Sequence, residues 1–238
     1  MLSKPNCHLC QFKELCIRQI PLFSSLSDDE LIKIFPLIQH HTYQKGEILI
    51  NDKDPLDSLI LINEGKVKAS KYSFDGKEQI LHVFFAKDFF GEQFLTNERS
   101  SYYTIEALTL VKVCVLAKKD FDQIVIKHPD IATNLISQLY KRLRKLESTI
   151  YHLNIRSVDN RVNALLINYT EEYGHLTANG IVIDLPLSRE QMANYLGITR
   201  ETISRKLSQL ENDNIIQTLN RKQILIKDLT RLQALISE

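Results

Sequence analysis

Residues 188–211 read SREQMANYLGITRETISRKLSQLE, and the spacing within this stretch decides the fold of the C-terminal part of the chain. Ser188 stands where a helix N-cap belongs, with Glu190 and Gln191 in the first turn and Met192, Ala193 and Leu196 as an inward face. Gly197 permits the left-handed backbone needed to leave that helix sharply. Thr199 then caps a second helix, whose Ile203, Leu207 and Leu210 recur at intervals of 4 and 3. Two short helices about a glycine turn make a helix-turn-helix. The outer face of the second helix, near its N-terminus, carries Arg200, Glu201, Ser204 and Arg205. Arginine can bond guanine O6 and N7 together, glutamate can accept from cytosine N4, and serine can meet base edges or phosphate. A solvated charged face, with Glu201 paired to Arg205 one turn on, is the competing reading. Cap, glycine turn and four polar readers together favour double-stranded DNA as the partner.

Working outward, residues 160–173 read as a helix, 181–185 as a strand and 215–226 as a hairpin, which completes a winged helix-turn-helix over 157–238. Upstream, Pro129-Asp130 opens a long helix assigned to 129–156, in which Ile136, Leu139, Leu143, Leu146, Ile150 and Leu153 recur at intervals of 3, 4, 3, 4 and 3. That is a coiled-coil seam. About 25 residues make a rod of roughly 37 Å, too long for a small domain to cover alone, so the seam predicts a parallel homodimer. Farther upstream, short β-rich runs (47–51, 58–62, 67–72, 79–85, 104–107 and 112–116) alternate with turns such as Asn63-Glu64-Gly65 and Phe74-Asp75-Gly76. Such spacing predicts a closed or double-sheet β-roll, assigned to 20–128. A short helix over 24–35, with Ser27 as N-cap and Glu30 three positions on, precedes it. The fold class is therefore α+β.

With 238 residues the chain fits two modest domains, and its 25% charged and 44% hydrophobic residues are those of globular material. A net charge of +1 offers phosphate no general attraction, so any DNA-binding surface must be a local patch. The N-terminus MLSKPNCHLC lacks an apolar signal region and no long apolar stretch occurs, so a cytoplasmic protein without membrane contact is expected. In reducing surroundings the four cysteines make a candidate metal or redox site rather than disulfides. Cys7, Cys10 and Cys16 crowd an arm over 1–19, and Cys114 lies in the run VKVCVL. Taken alone, Cys114 also reads as a buried hydrophobe, and the arm as a structural zinc site or a redox pair. His8, His40, His41 and His82 read as surface or loop residues, no His pair having helical ligand spacing. Carboxylates are scattered and no nucleophilic or phosphate-loop constellation is present, so no enzyme is expected.

The segment RETISR after an LGIT turn, the preceding dimer-type helix and a β-rich domain containing Phe90-Gly91-Glu92 resemble the CRP/FNR superfamily of bacterial regulators along essentially the whole chain. The resemblance implies a cyclic-nucleotide-binding-like β-roll, a long dimerisation helix and a winged helix that reads palindromic operators as a two-fold dimer, with RNA polymerase as a further partner. Ala86-Lys87-Asp88 is a polymerase contact by that analogy only, and otherwise a solvated turn. In the cyclic-AMP receptor branch a Gly-Glu pair binds ribose and a downstream Arg-Ser binds phosphate. Gly91-Glu92 and Arg99-Ser100 imitate that cassette with a shorter interval, Tyr102 and Tyr103 replace small residues, and Leu146 and Glu147 stand where adenine would be read. Gly91 and Arg99 then read as a turn residue and a surface charge. In the FNR branch the mark is a C-x2-C-x5-C arm plus one internal cysteine, which Cys7, Cys10, Cys16 and Cys114 match. That likeness implies a [4Fe-4S] cluster on four thiolates and an oxygen-responsive regulator; zinc, or a cyclic nucleotide beside an unrelated arm, is the alternative.

Overall fold

The computed structural model describes residues 16–96, 98–153 and 158–237. Eight strands form the N-terminal part: β1 (Ile38–Tyr43), β2 (Ile48–Ile50), β3 (Ser58–Glu64), β4 (Lys66–Tyr72), β5 (Glu78–Phe85), β6 (Phe89–Phe90), β7 (Thr104–Ala107) and β8 (Val111–Ala117). They make two antiparallel sheets, ordered β1-β8-β3-β6 and β2-β7-β4-β5. Between the sheets lies one apolar cluster, with Ile60, Ile62, Val111 and Val113 from the first meeting Val67, Ala69, Phe84, Ile105 and Ala107 from the second. This is the expected β-roll.

The first sheet is covered on its other face as well. Because strand side chains alternate, Leu59, Leu61, Cys114 and Leu116 point away from the roll interior into a second cluster. Burial on both faces explains why β3 reads Leu59-Ile60-Leu61-Ile62 without alternation. The cover is built from two 3-10 turns (Cys16–Gln19 and Pro21–Phe23), α1 (Asp28–Ile34), α2 (Lys118–Lys127) and the start of α3 (Asp130–Leu153). Ser27 and Glu30 form the expected capping box on α1. Ile17 and Ile20 are buried here, so the roll's packing begins before residue 19, where the arm was expected to end. β1, β6, α2 and the 3-10 turns are not among the elements that the sequence pattern predicts.

The chain divides into two compact units between Leu143 and Arg144, inside α3. The division falls there because Ile131 and Leu135 of α3 are buried on the roll, and Leu139 packs partly against them. Leu139, one of the expected seam residues, is thus partly covered by its own domain. Ile136, Leu143 and Leu146 face solvent at 67, 52 and 39% exposure, and Tyr140, which the seam had not included, joins them at 58%. The side chains of Ile150 and Leu153 lie outside the described residues.

The second unit contains α4 (Val158–Tyr173), β9 (Gly174–Thr177), β10 (Gly180–Asp184), α5 (Arg189–Leu196), α6 (Arg200–Asn212), β11 (Ile216–Asn220), β12 (Gln223–Ile226) and α7 (Leu229–Ser237). Its sheet runs β11-β12-β10-β9, and Ile203, Leu207 and Leu210 of α6 are buried. This is the expected winged helix, to which the structure adds β9 and α7.

Candidate DNA interface and sensor-side cysteine

Local chemistry builds the helix-turn-helix. The Ser188 hydroxyl accepts from the Gln191 backbone at 3.3 Å, and the Gln191 side chain accepts from the Ser188 backbone at 2.9 Å, closing a capping box on α5. Gly197 ends α5 at φ 65°, ψ 35°, in the left-handed region, and its neighbour Ile198 donates back to Ala193 O at 3.0 Å. Thr199 caps α6, its hydroxyl accepting from Thr202 N at 3.2 Å.

Past that cap the expected readers emerge as a group. Arg200, Glu201 and Arg205 are exposed and Ser204 is half-buried, all on the face opposite Ile203, Leu207 and Leu210. Among the described residues no ion pair joins Glu201 to Arg205, so the face is not closed on itself. The N-terminal end of α6 also points backbone N–H groups and a positive dipole outward, which favours phosphate. Two basic residues went unnoticed in the sequence. Arg221 and Lys222 are exposed at the turn between β11 and β12, where Lys222 N donates to Asn220 Oδ1 at 2.8 Å. A basic pair between two short strands was the available signal.

On the sensor side, Cys114 is buried on β8 and opposite His40 in the strand register. Its Sγ lies 3.5 Å from His40 Nδ1. Burial, and then the neighbouring His41, lower the pKa of His40. A small cleft lined by His40, His41, Thr42, Asn63, Lys112, Val113 and Cys114 opens beside the sulfur. Cys7 and Cys10 lie outside the described residues, and Cys16 begins the first 3-10 turn with only its backbone described. Ile17, the next residue, is buried in the same cluster as Cys114. A soft thiol, the kind of ligand that thiolate-bound metal centres use, is thus buried in the cluster that also takes Ile17.

The cassette around Gly91 has other work. Gly91 has φ 97°, and an added Cβ would lie 2.3 Å from the Ser58 carbonyl oxygen, so it is a turn residue under close backbone contact. Glu92 Oε1 is held by Arg142 Nη1, whose other arm donates to Phe89 O at 2.7 Å. The guanidinium lies 5.0 Å from the ring centroids of both Phe84 and Phe89. Burial, with a contribution from Glu92, pushes the Tyr103 phenol up to about 12. Arg99 is exposed. Glu92, the residue that would take a ribose, is engaged by α3 of its own chain, and neither Arg142 nor this contact was legible in the sequence.

Fold and site together define a regulator with a β-roll sensor unit and a DNA-binding winged helix. Residues 40–128 match the family described as cyclic nucleotide-binding domain, and residues 160–235 the Crp-like helix-turn-helix domain. The chain is 31% identical to the probable transcriptional regulator flp of Lacticaseibacillus casei, over 89% of this chain and 93% of that one. It is 26% identical to the transcriptional activator protein FnrL of Cereibacter sphaeroides, over 91% of this chain and 88% of that one. The solved structure of FixK2 from Bradyrhizobium japonicum superposes with a TM-score of 0.73 at 26% identity, covering 83% of this chain and 96% of that one. The chain belongs to the CRP/FNR family of DNA-binding transcription regulators. Its relatives and domains are those of regulators, not of enzymes. No helix among the described residues is long and apolar enough to cross a membrane.

Proposed function

We propose that this regulator is of the FNR type, sensing oxygen or redox state through a [4Fe-4S] cluster held by Cys7, Cys10, Cys16 and Cys114, and binding palindromic operators as a homodimer. The burial of Ile17 and Cys114 in one apolar cluster is the observation behind the reading, because the root of the cysteine arm and the internal cysteine then share a packing unit. The relatives include FnrL, which agrees with it. When bound, the cluster supplies an oxygen-labile cross-link between arm and roll. The chain's own residues do the rest. Ile17 and Ile20 are buried in the cluster that holds Leu59 and Leu61 of β3, the strand against which the first 3-10 turn packs. Ile131 and Leu135 carry the first half of α3 in that same cluster, so a change at the arm's root reaches packing shared with the dimer helix. To act as a switch, the cross-link must favour the dimer-competent state by a differential free energy.

Protein purified without oxygen should be brown, with iron and acid-labile sulfide in about equal amounts. Since the chain has only four cysteines, each Cys→Ser variant should lose iron to a similar degree, hydroxyl being a harder and far less acidic ligand than thiol. A colourless, sulfide-free protein carrying zinc, or a full cluster in Cys114→Ser, would overturn the reading and leave the DNA-binding regulator standing.

A further inference from the structure

The recognition helix α6 buries a charge. Its inward face is apolar at Ile203, Leu207 and Leu210, yet Lys206, one residue beyond the exposed Arg205, is buried among them. Its Nζ is not left bare: Asp159 Oδ2 lies at 3.3 Å and Gln209 Oε1 at 3.4 Å. The lysine side chain is 6% exposed and that of Asp159 42%. Asp159 sits in the first turn of α4, where the helix dipole favours a carboxylate, and α4 packs against α6. One turn along α4, on the face of Asp159, Asn163 is fully buried with neither amide atom bonded. The helix is thus polar on the side that carries the tether, where an apolar lining would be the ordinary choice.

Such a pair is a poor source of stability. Desolvating an ammonium and a carboxylate consumes most of their attraction, and apolar residues of similar size commonly serve as well or better. What a buried ammonium with one carboxylate in reach does supply is direction, because it has one satisfied position while a methylene chain has many. Successive residues on a helix are separated by a fixed rotation, so fixing where Lys206 points fixes where Arg205 leaves the same turn. Base readout needs that control, since a recognising side chain must be held to within about 0.5 Å of its working geometry.

We infer that Lys206 and Asp159 are positioning residues for DNA reading, a tether from the first turn of α4 that sets the rotation of α6 and thereby the sequence discrimination of Arg205 and Glu201. The tether touches no base itself. It sharpens selection among duplexes without adding to general affinity for DNA.

The test uses full-length protein handled without oxygen and three duplexes. One is selected by the wild type from a random pool, one is the same duplex with a single half-site base pair replaced, and one is of random sequence. Lys206→Met should fold with an unchanged or higher thermal midpoint and bind the random duplex as the wild type does. Its preference for the selected duplex over the replaced one should fall about tenfold, the scale of one lost bidentate base contact. A purely structural role would move the midpoint and not that ratio. Asp159→Asn, which leaves the ammonium with Gln209 alone, should lower the same ratio. The double variant should be no worse than the poorer single, as for two ends of one interaction. Wild-type discrimination by Lys206→Met, or losses that multiply in the double variant, would overturn the assignment. Should Asp159→Asn fail to fold, Lys206→Met decides alone.

Discussion

Arg205 leaves α6 exposed, one turn beyond exposed Glu201 in the helix capped at Thr199. A bidentate arginine contact contributes about 1–3 kcal/mol of discrimination, so Arg205→Ala should cost about that much on the selected operator and relax one base position. Binding measured against duplexes substituted at each position checks this. Glu201 and Arg205 are expected to read a GA core, with Arg200 adding a preference for guanine farther out. Site selection from random DNA by Arg200→Val should then return the same core with the outer preference gone; an unchanged sequence would count against Arg200 as a reader. These residues were legible because the signals that place them are local: a cap, a glycine in left-handed conformation and a 3-4 apolar period all lie within the quoted stretch. Lys206 was not, because its type reads as surface while its position is inward, and only the carboxylate of Asp159, 47 residues earlier, reconciles the two. Arg142 escaped for the same reason, its partner Glu92 being 50 residues away.

At the scale of the element, α3 shows how far a period can be read. The 3-4 repeat named the long helix and its apolar side, but it could not divide that side between two owners. Ile131 and Leu135 are buried on the chain's own roll and Leu139 leans on it, while Ile136, Tyr140, Leu143 and Leu146 are left to solvent. Sequence spacing cannot tell these apart, since the roll that claims the first set is assembled from strands far away in the chain. β1 and α2 were missed because neither carries a clear apolar period. The strand reads IQHHTY and owes its place to pairing with β8, and the helix reads KKDFDQIVIK with only Phe121 and Ile124 buried. Tertiary contacts overrule local preference in both. The exposed stripe makes its own prediction. In a paired helix, Leu143→Glu must bury a carboxylate without a partner, while in the isolated chain Leu143 is half exposed and the roll does not depend on it. The variant should keep the wild-type circular dichroism, sediment as a monomer and lose operator binding. A variant that remains dimeric would remove Leu143 from the interface.

For the molecule as a whole, what matters is that each chain carries, among the described residues, one helix-turn-helix, formed by α5 and α6. One recognition helix spans only a few base pairs of major groove, and two copies acting together raise specific affinity. If the exposed stripe of α3 pairs two chains about a two-fold axis, their α6 helices present the same residues in opposite directions, and the preferred DNA is a palindrome. Its half-sites must then face the same side of the duplex, which repeats about every 10.5 base pairs. Inserting 5 base pairs between the half-sites turns one of them to the far side, and a rigid dimer can engage only one at a time. Affinity should drop to that for a duplex with a single half-site, and inserting 10 should recover part of it. Electrophoretic titration of duplexes with 0, 5 and 10 added base pairs tests this directly. A monomer reading each half-site independently would bind all three alike, which would sink the dimeric operator whatever the cysteines hold. The comparison is independent of the sensor chemistry as well, because it is made within one preparation: whatever sets the fraction of binding-competent protein leaves the ratio among duplexes intact.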